Sequence, residues 1–142
     1  MTILDANILL YAYNADAQQH SIAAAWVEDL FRSREEVGIP WITLWAFLRI
    51  STNPRLWPNP NSTAQSFRIM QSWLDAPGVF VVEPGPRHAE ILQKLVTAHR
   101  VSGPLITDAA LAALALEYGA TLASTDRDFG RFLELRWINP AP

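Results

Sequence analysis

The sequence contains no cysteine and only one lysine, Lys94. The absence of cysteine excludes disulfide bonds, thiolate metal ligands and cysteine nucleophiles. No run of about 18 apolar residues is present, so nothing predicts a membrane span. Met1 leads directly into TILD, without the charged and apolar segments of a secretory signal. We therefore expect a cytoplasmic protein.

Positive charge is scarce. The net charge of −3 at pH 7 argues against a broad electrostatic surface for nucleic acid. It does not exclude a nuclease, because a nuclease needs acids in its active site. The loops GxxxxGK[ST] and GxGxxG are absent, and so is GxSxG. The common nucleotide-binding and serine-hydrolase classes therefore have no support.

Short apolar segments alternate with helical patterns in the order β-α-α-β-α-α-β-α-α-β-α-β. This order predicts an α/β fold, with a short parallel β-sheet flanked by helices on both faces. The length predicts one domain, residues 1–142. The continuous apolar run Val79–Val82 predicts a strand buried on both faces.

Local patterns predict helix caps and one helix face. Thr43 and Thr107 each precede a helical pattern and are expected to be N-caps. The helix that ends at Leu74 is expected to place four residues on its core face, at helical spacing: Thr63, Phe67, Met70 and Leu74.

Acidic residues cluster in the segment from Leu105 to Phe129. Asp108 opens a helix that is apolar on all sides, which predicts a buried helix. Asp126 and Asp128 follow the short strand Thr121 to Ser124, and sites in open α/β sheets form outside the carboxyl ends of strands. The alternative is that Asp108 is only a helix cap and the other two only turn residues.

Asp5 shows the same placement. It ends the first strand and precedes a helix that opens at Ala6 or Asn7. It could serve only as an N-cap, but its coincidence with Asp108 and Asp126 favours a shared site. Two carboxylates about 4 Å apart repel by about 4 kcal/mol at an effective dielectric of about 20. Three such groups are therefore costly unless they are protonated or bind a cation.

The donors available in this site favour a hard cation. Oxygen ligands without cysteine suit Mg²⁺ or Mn²⁺. His20 is expected to be a surface or capping residue. His88 and His99 lie about 16 Å apart along one helix, too far to share a metal. A metal held by Asp5, Asp108 and Asp126 predicts hydrolysis of a phosphodiester.

Other acid-based sites fit the sequence less well. A receiver-type phosphoacceptor domain needs a lysine in its site, but Lys94 lies in mid-helix. A haloacid-dehalogenase-type phosphatase needs Asp-x-Asp, and the second of these positions is Asn7. A phosphatase that acts on small substrates is therefore only a weak alternative.

Three segments resemble the PIN-domain proteins, and closely the VapC toxins of bacterial VapBC toxin–antitoxin pairs. They are LDANILLYAYN from Leu4, WITLWAFLRISTNPR from Trp41 and ITDAALAALALEYGATLASTDRDFGRF from Ile106. The resemblance covers essentially the whole chain. It implies a Mg²⁺- or Mn²⁺-dependent endoribonuclease that cuts RNA such as tRNA or rRNA. It also implies a homodimer inhibited by a VapB-type antitoxin.

The resemblance assigns roles to individual residues. It implies that Asp5, Asp108 and Asp126 are metal ligands and catalytic acids, with Asp128 as a further catalytic acid. Asn7 and Thr125 are expected to contact and orient these acids without binding the metal themselves.

Two arginines are candidate RNA contacts, Arg49 and Arg55. Arg55 and Trp57 adjoin in the proline-rich loop from Thr52 to Asn61. This loop is either a lip that contacts RNA or a stiff loop whose Trp packs on the body of the protein.

One position departs from the family. PIN domains generally carry a Glu three residues before an Arg in the helix after the second strand. Here the Arg is Arg49 and the position is Ala46. We therefore expect weaker metal binding. The departure also supports an alternative, a weak or inactive PIN-like module that binds RNA or antitoxin without cutting.

Overall fold

The protein folds around a five-stranded parallel sheet. The computed structural model describes residues 1–142. The strands are β1 (Thr2–Leu4), β2 (Val37–Pro40), β3 (Val79–Val82), β4 (Thr121–Ala123) and β5 (Trp137–Ile138). Their order in the sheet is β3-β2-β1-β4-β5, and every neighbouring pair is parallel. The predicted α/β class and parallel sheet are therefore confirmed.

Six α-helices connect the strands. They are α1 (Ala6–Tyr13), α2 (His20–Arg32), α3 (Trp41–Ser51), α4 (Thr63–Leu74), α5 (His88–Ala98) and α6 (Leu105–Glu117). A 3₁₀ helix, Arg127–Arg131, replaces the last predicted α-helix. None of these helices combines the length and the apolar character that a membrane span requires.

The helices lie on both faces of the sheet, as predicted. Because side chains alternate along a strand, Ile3 and Leu4 point to opposite faces. Ile3 packs in a core with residues of α5 and α6, whereas Leu4 packs in a second core with residues of α1, α2, α3 and α4. Each core contains 15 buried residues. The central strands are thus covered on both sides.

The prediction that Val79–Val82 is buried on both faces is wrong. The strand β3 pairs only with β2 and forms an edge of the sheet. Phe80 is 48% exposed and Val81 is also exposed, so the strand is not buried on both faces. A continuous apolar run does not distinguish a central strand from an edge strand whose outer face is left uncovered.

Neither predicted threonine cap is a cap. Thr43 lies inside α3, where its Oγ1 donates to the carbonyl oxygen of Leu4 over 2.8 Å. Thr107 lies in the first turn of α6, and Pro104 occupies the N-cap position. Both helices begin earlier in the chain than the threonines suggested, because the N-cap positions are occupied by Pro40 and Pro104.

The buried face of α4 also differs from the prediction. Met70 is buried as expected, but Phe67 is 52% exposed, and Ser66 and Trp73 take the inner positions. The indole N–H of Trp73 donates to the hydroxyl oxygen of Tyr13 over 3.0 Å, which holds that ring inward. The buried face of α4 is therefore rotated about the helix axis, by about one residue position, from the predicted face.

Substitutions on α4 can test this face. We expect Met70→Ala to lower the free energy of unfolding by about 2–5 kcal/mol, because it leaves a cavity. Phe67→Ala should change it by less than about 0.5 kcal/mol, because the ring is at the surface. Urea unfolding followed by circular dichroism measures both. Equal losses in the two variants would contradict the observed orientation of α4.

Candidate active site

The ends of β1 and β4 bring two of the predicted acids to one edge of the sheet. Leu4 pairs with Ala123, and the backbone N–H of Asp5 donates to the carbonyl oxygen of Ala123 over 3.0 Å. Asp126 follows β4 by three residues and caps the 3₁₀ helix, accepting a bond from the N–H of Asp128 over 2.9 Å. The parallel pairing thus places Asp5 near the turn that carries Asp126.

The buried helix α6 supplies the third acid. Its alanines Ala109, Ala112 and Ala113 are fully buried, and their small side chains let the helix lie close to its neighbours. Asp108 lies in the first turn, where the helix favours negative charge. The packing of α6 therefore fixes Asp108 at the same edge of the sheet.

The structure brings all four predicted acids together, but the tightest group is not the one predicted to hold a metal. Carboxylate oxygens of Asp108, Asp126 and Asp128 lie within 4.8 Å of one another. Asp5 is outside this group, although it lines a cavity of about 380 Å³ together with Asp108. Asp128, expected only as a further acid, belongs to the closest set.

Hydrogen bonds hold Asp5 in place. Its Oδ1 accepts from the N–H of Ala6 over 2.7 Å. Its Oδ2 accepts from Nδ2 of Asn7 over 3.2 Å and from Oγ of Ser124 over 2.7 Å. Asn7, which was expected to support the acids, thus contacts Asp5 directly.

Ser124 is a residue of the candidate site that the sequence prediction missed. Its fully buried hydroxyl donates to Asp5 and accepts from Nδ2 of Asn7 over 3.1 Å and from the N–H of Asp126 over 3.0 Å. One hydroxyl has one donor and two acceptor positions, and all three are used. The available signal was a polar side chain at the end of an apolar strand, directly before the acidic turn.

Thr125 contributes through its backbone. Its N–H donates to Oδ1 of Asn7 over 3.1 Å. Asn7 therefore bridges the end of β1 to the turn after β4, with its amide nitrogen on one side and its amide oxygen on the other.

The acids destabilise one another's charged forms. Burial raises the pKa of Asp5, and the nearby charge of Asp126 raises it further, while the bonds from Ser124, Ala6 and Asn7 oppose the shift. Burial also raises the pKa of Asp108, reinforced by the charges of Asp126, Asp5 and Asp128. Arg131, which pairs with Asp128 over 3.4 Å, partly offsets this effect on the pKa of Asp108.

Of the two predicted arginines, one lies at the acids. Arg49 and Ala46 line the same cavity as Asp5 and Asp108. Arg55 does not line it. Trp57 is only 5% exposed and packs on the body of the protein, in agreement with the stiff-loop interpretation. Ala46 leaves this wall of the cavity without a carboxylate.

The donors fit a hard divalent cation. Three carboxylates converge within 4.8 Å, and the repulsion that raises the pKa of Asp108 is the repulsion that a cation would remove. Oxygen-only donors suit Mg²⁺ or Mn²⁺. None of the three histidines joins this group: His20 contacts the carbonyl oxygen of Tyr11, and His99 contacts Glu134.

Comparison with known proteins identifies the class to which this acidic cavity and short parallel sheet belong. Residues 2–134 match the family model of the PIN domain. The chain belongs to the PIN-domain family and, within it, to the VapC group, as its relatives show. Ribonuclease VapC37 of Mycobacterium tuberculosis is 39% identical over 99% of this chain and 97% of its own length. Ribonuclease VapC33 of the same species is 38% identical over 99% and 98%.

Solved structures share the fold. VapBC2 from Rickettsia felis, bound to a DNA fragment from its promoter, gives a TM-score of 0.72 at 19% identity and covers 97% of both chains. VapBC-1 from nontypeable Haemophilus influenzae gives 0.71 at 19% identity, covering 99% of this chain and 98% of the other. At this identity the likeness establishes the fold alone.

The raised pKa of Asp108 gives a test of the acidic site. The proton of the Asp108 carboxyl binds more tightly in the folded than in the unfolded state. Protonated Asp108 therefore stabilises the fold at low pH, and this stabilisation is lost as the pH rises through the raised pKa. At pH 7.5 in EDTA, Asp108→Asn removes an unfavourable charge. We expect its melting temperature to rise by about 3 °C. Calorimetry measures the change.

The matched control is Asp29→Asn, which makes the same change at an exposed position of α2. Its melting temperature should stay within about 1 °C of the wild-type value. A fall in the melting temperature of Asp108→Asn would show that the charge of Asp108 stabilises the metal-free protein, contrary to the repulsion described above.

Proposed function

We propose that this protein is a Mg²⁺- or Mn²⁺-dependent endoribonuclease, the toxin of a toxin–antitoxin pair, and that it cuts cellular RNA such as tRNA or rRNA. The observation that carries the proposal is the convergence of Asp108, Asp126 and Asp128 within 4.8 Å beside Asp5. Relatives named ribonucleases, matched over 99% of this chain, support the reaction.

In this proposal three of the acids bind the ion and the fourth lies beside it. Asp108, Asp126 and Asp128 would hold the ion, with Asp5 beside them. The bound ion would lower the pKa of a water molecule and stabilise negative charge on the phosphate. In hydrolysis, the water oxygen bonds to phosphorus and the bond from phosphorus to the leaving ribose oxygen breaks. Ser124 and Asn7 keep Asp5 oriented toward the site.

Arg49 is the cation that we assign to the phosphate. It is exposed on the wall of the acidic cavity. A guanidinium can donate two parallel bonds to phosphate oxygens, which suits it to position the RNA backbone. Arg55 is exposed but does not line this cavity, and we retain it only as a candidate for contact with a longer RNA.

The proposed partners are a VapB-type antitoxin and a second copy of the chain. The structural neighbours include VapBC complexes, two of them bound to DNA. An antitoxin of this type would keep the site inactive until it is removed. The homodimer follows from the family resemblance.

A second candidate function is a binding module that holds RNA or antitoxin without cutting. Ala46 favours it, because the cavity wall beside Arg49 lacks the acid that PIN domains generally carry there. The loss of one carboxylate ligand would lower the affinity for the ion and the rate of RNA cleavage.

Cleavage assays distinguish the two functions. Antitoxin-free protein should cut pooled cellular RNA with Mn²⁺ or Mg²⁺ and not with EDTA. Asp108→Asn and Asp5→Ala should each lower the rate by about 100-fold or more, while Asp29→Asn retains it. Tight RNA binding that ignores EDTA, with no cleavage in Mn²⁺, would favour the binding module. Full activity in Asp108→Asn would disprove the assignment of the site.

Restoring the missing acid tests the role of Ala46. Ala46→Glu should raise the affinity for Mn²⁺ by about 10-fold or more, because it adds a carboxylate to the cavity wall. Ala46→Gln has the same size without the charge and should not. Isothermal titration calorimetry measures the affinity. If both variants bind Mn²⁺ like the wild type, position 46 does not face the ion.

A further inference from the structure

A second cavity, of about 460 Å³, lies beside the acidic one. The two cavities share Ile42, Trp45 and Leu111. A volume of this size is typical of sites for small molecules or for parts of larger ligands. Because the walls are shared, a group bound to the acids has its neighbouring part within reach of this second cavity.

Two tryptophans of α3 form one side of it. The rings of Trp41 and Trp45 are stacked, with centroids 6.3 Å apart and planes inclined by 30°. Trp45 is 63% exposed, although burying so large a ring is favourable. Trp73 and Trp137 use their indole N–H groups in bonds to Tyr13 and Ser124, whereas the indole N–H groups of Trp41 and Trp45 bond to no group of the protein.

The cavity also contains polar groups without a settled partner. His88 lines it, and the Nδ1 of this ring is buried without a hydrogen bond. The side chain of Glu83 is another wall residue and forms no salt bridge. Flat apolar faces thus occur together with indole N–H groups that bond to no group of the protein and with a carboxylate that forms no salt bridge.

We propose that this cavity binds an unpaired nucleobase of the RNA whose backbone lies at the acids, and that the base stacks on Trp45. The proposal rests on the proposed ribonuclease function. Unpaired bases stack on aromatic side chains and expose their edges for hydrogen bonding. A carboxylate accepts from the amino group of a base, so Glu83 favours a base that carries one.

A second copy of the chain is the competing occupant of this apolar surface. The observations favour a base for two reasons. The surface is a concave cavity continuous with the acidic one, and its wall includes a charged residue. The cores of subunit interfaces are depleted of charged residues.

Nuclear magnetic resonance can test the cavity without metal or cleavage. The ¹⁵N-labelled protein in EDTA would be titrated with adenosine, cytidine or uridine, and the six indole N–H signals assigned with Trp→Phe variants. We expect the signals of Trp41 and Trp45 to shift and saturate, while that of the buried Trp73 stays fixed. Adenosine and cytidine should bind more tightly than uridine, which has no amino group, and Glu83→Gln should reduce this difference.

Two results would overturn the proposal. One is the absence of any shift in Trp41 and Trp45 up to the solubility limit of the nucleosides. The other is a change of these signals with protein concentration alone, together with a halved sedimenting mass in Trp45→Ala. That result would identify the surface as a subunit interface.

Kinetics give an independent measurement. Trp45→Ala should lower kcat/KM for RNA by about 5- to 150-fold, whereas Trp45→Phe, which keeps a stacking ring, should retain most of it. Phe67→Ala, an exposed aromatic of α4, should have no effect. If the wild-type protein cuts no RNA, the proposed function is wrong, and the nucleoside titration still decides whether the cavity binds a base. Normal kinetics in Trp45→Ala would count against the stacking.

Discussion

Repulsion among four carboxylates is the constraint around which this structure is built. The carboxylates come from three separate parts of the chain, after β1, at the start of α6 and after β4, and burial with mutual repulsion raises the pKa of Asp5 and of Asp108. Packing holds them together: α6 is buried along its alanine face, and β1 pairs with β4. The free energy of the two cores therefore holds an arrangement that the acids alone would not adopt.

The hydrogen bonds around Asp5 show how this arrangement is kept in register. Ser124 and Asn7 link the ends of β1 and β4 through side chains, while the backbone of Asp5 bonds to Ala123. A buried hydroxyl with all its positions used cannot shift without losing a bond. The acids can repel one another without moving apart because the side chains of Ser124 and Asn7, which bond to Asp5, are themselves held in place.

The sequence predicted those features that depend on composition and chain order. The apolar run of α6 from Ala109 to Leu116 predicted a buried helix, and the alternation of elements implied a parallel sheet. Prediction from the sequence failed where the burial or bonding of a residue depends on segments packed against it in the fold. Val79–Val82 looks central but lies at the edge, Phe67 follows the helical period but faces outward, and Thr43 binds Leu4 rather than capping a helix. Ser124 was missed because its role depends on a residue 119 positions away.

The last strand reaches into the site from the end of the chain. The indole N–H of Trp137 donates to the carbonyl oxygen of Ser124, and the N–H of Ser124 donates to the carbonyl oxygen of Ile138. The backbone of Ser124 is thus braced by two residues that contain no catalytic group. A premature stop codon before Trp137 would therefore remove both of these bonds to Ser124 while leaving every aspartate of the site in the chain.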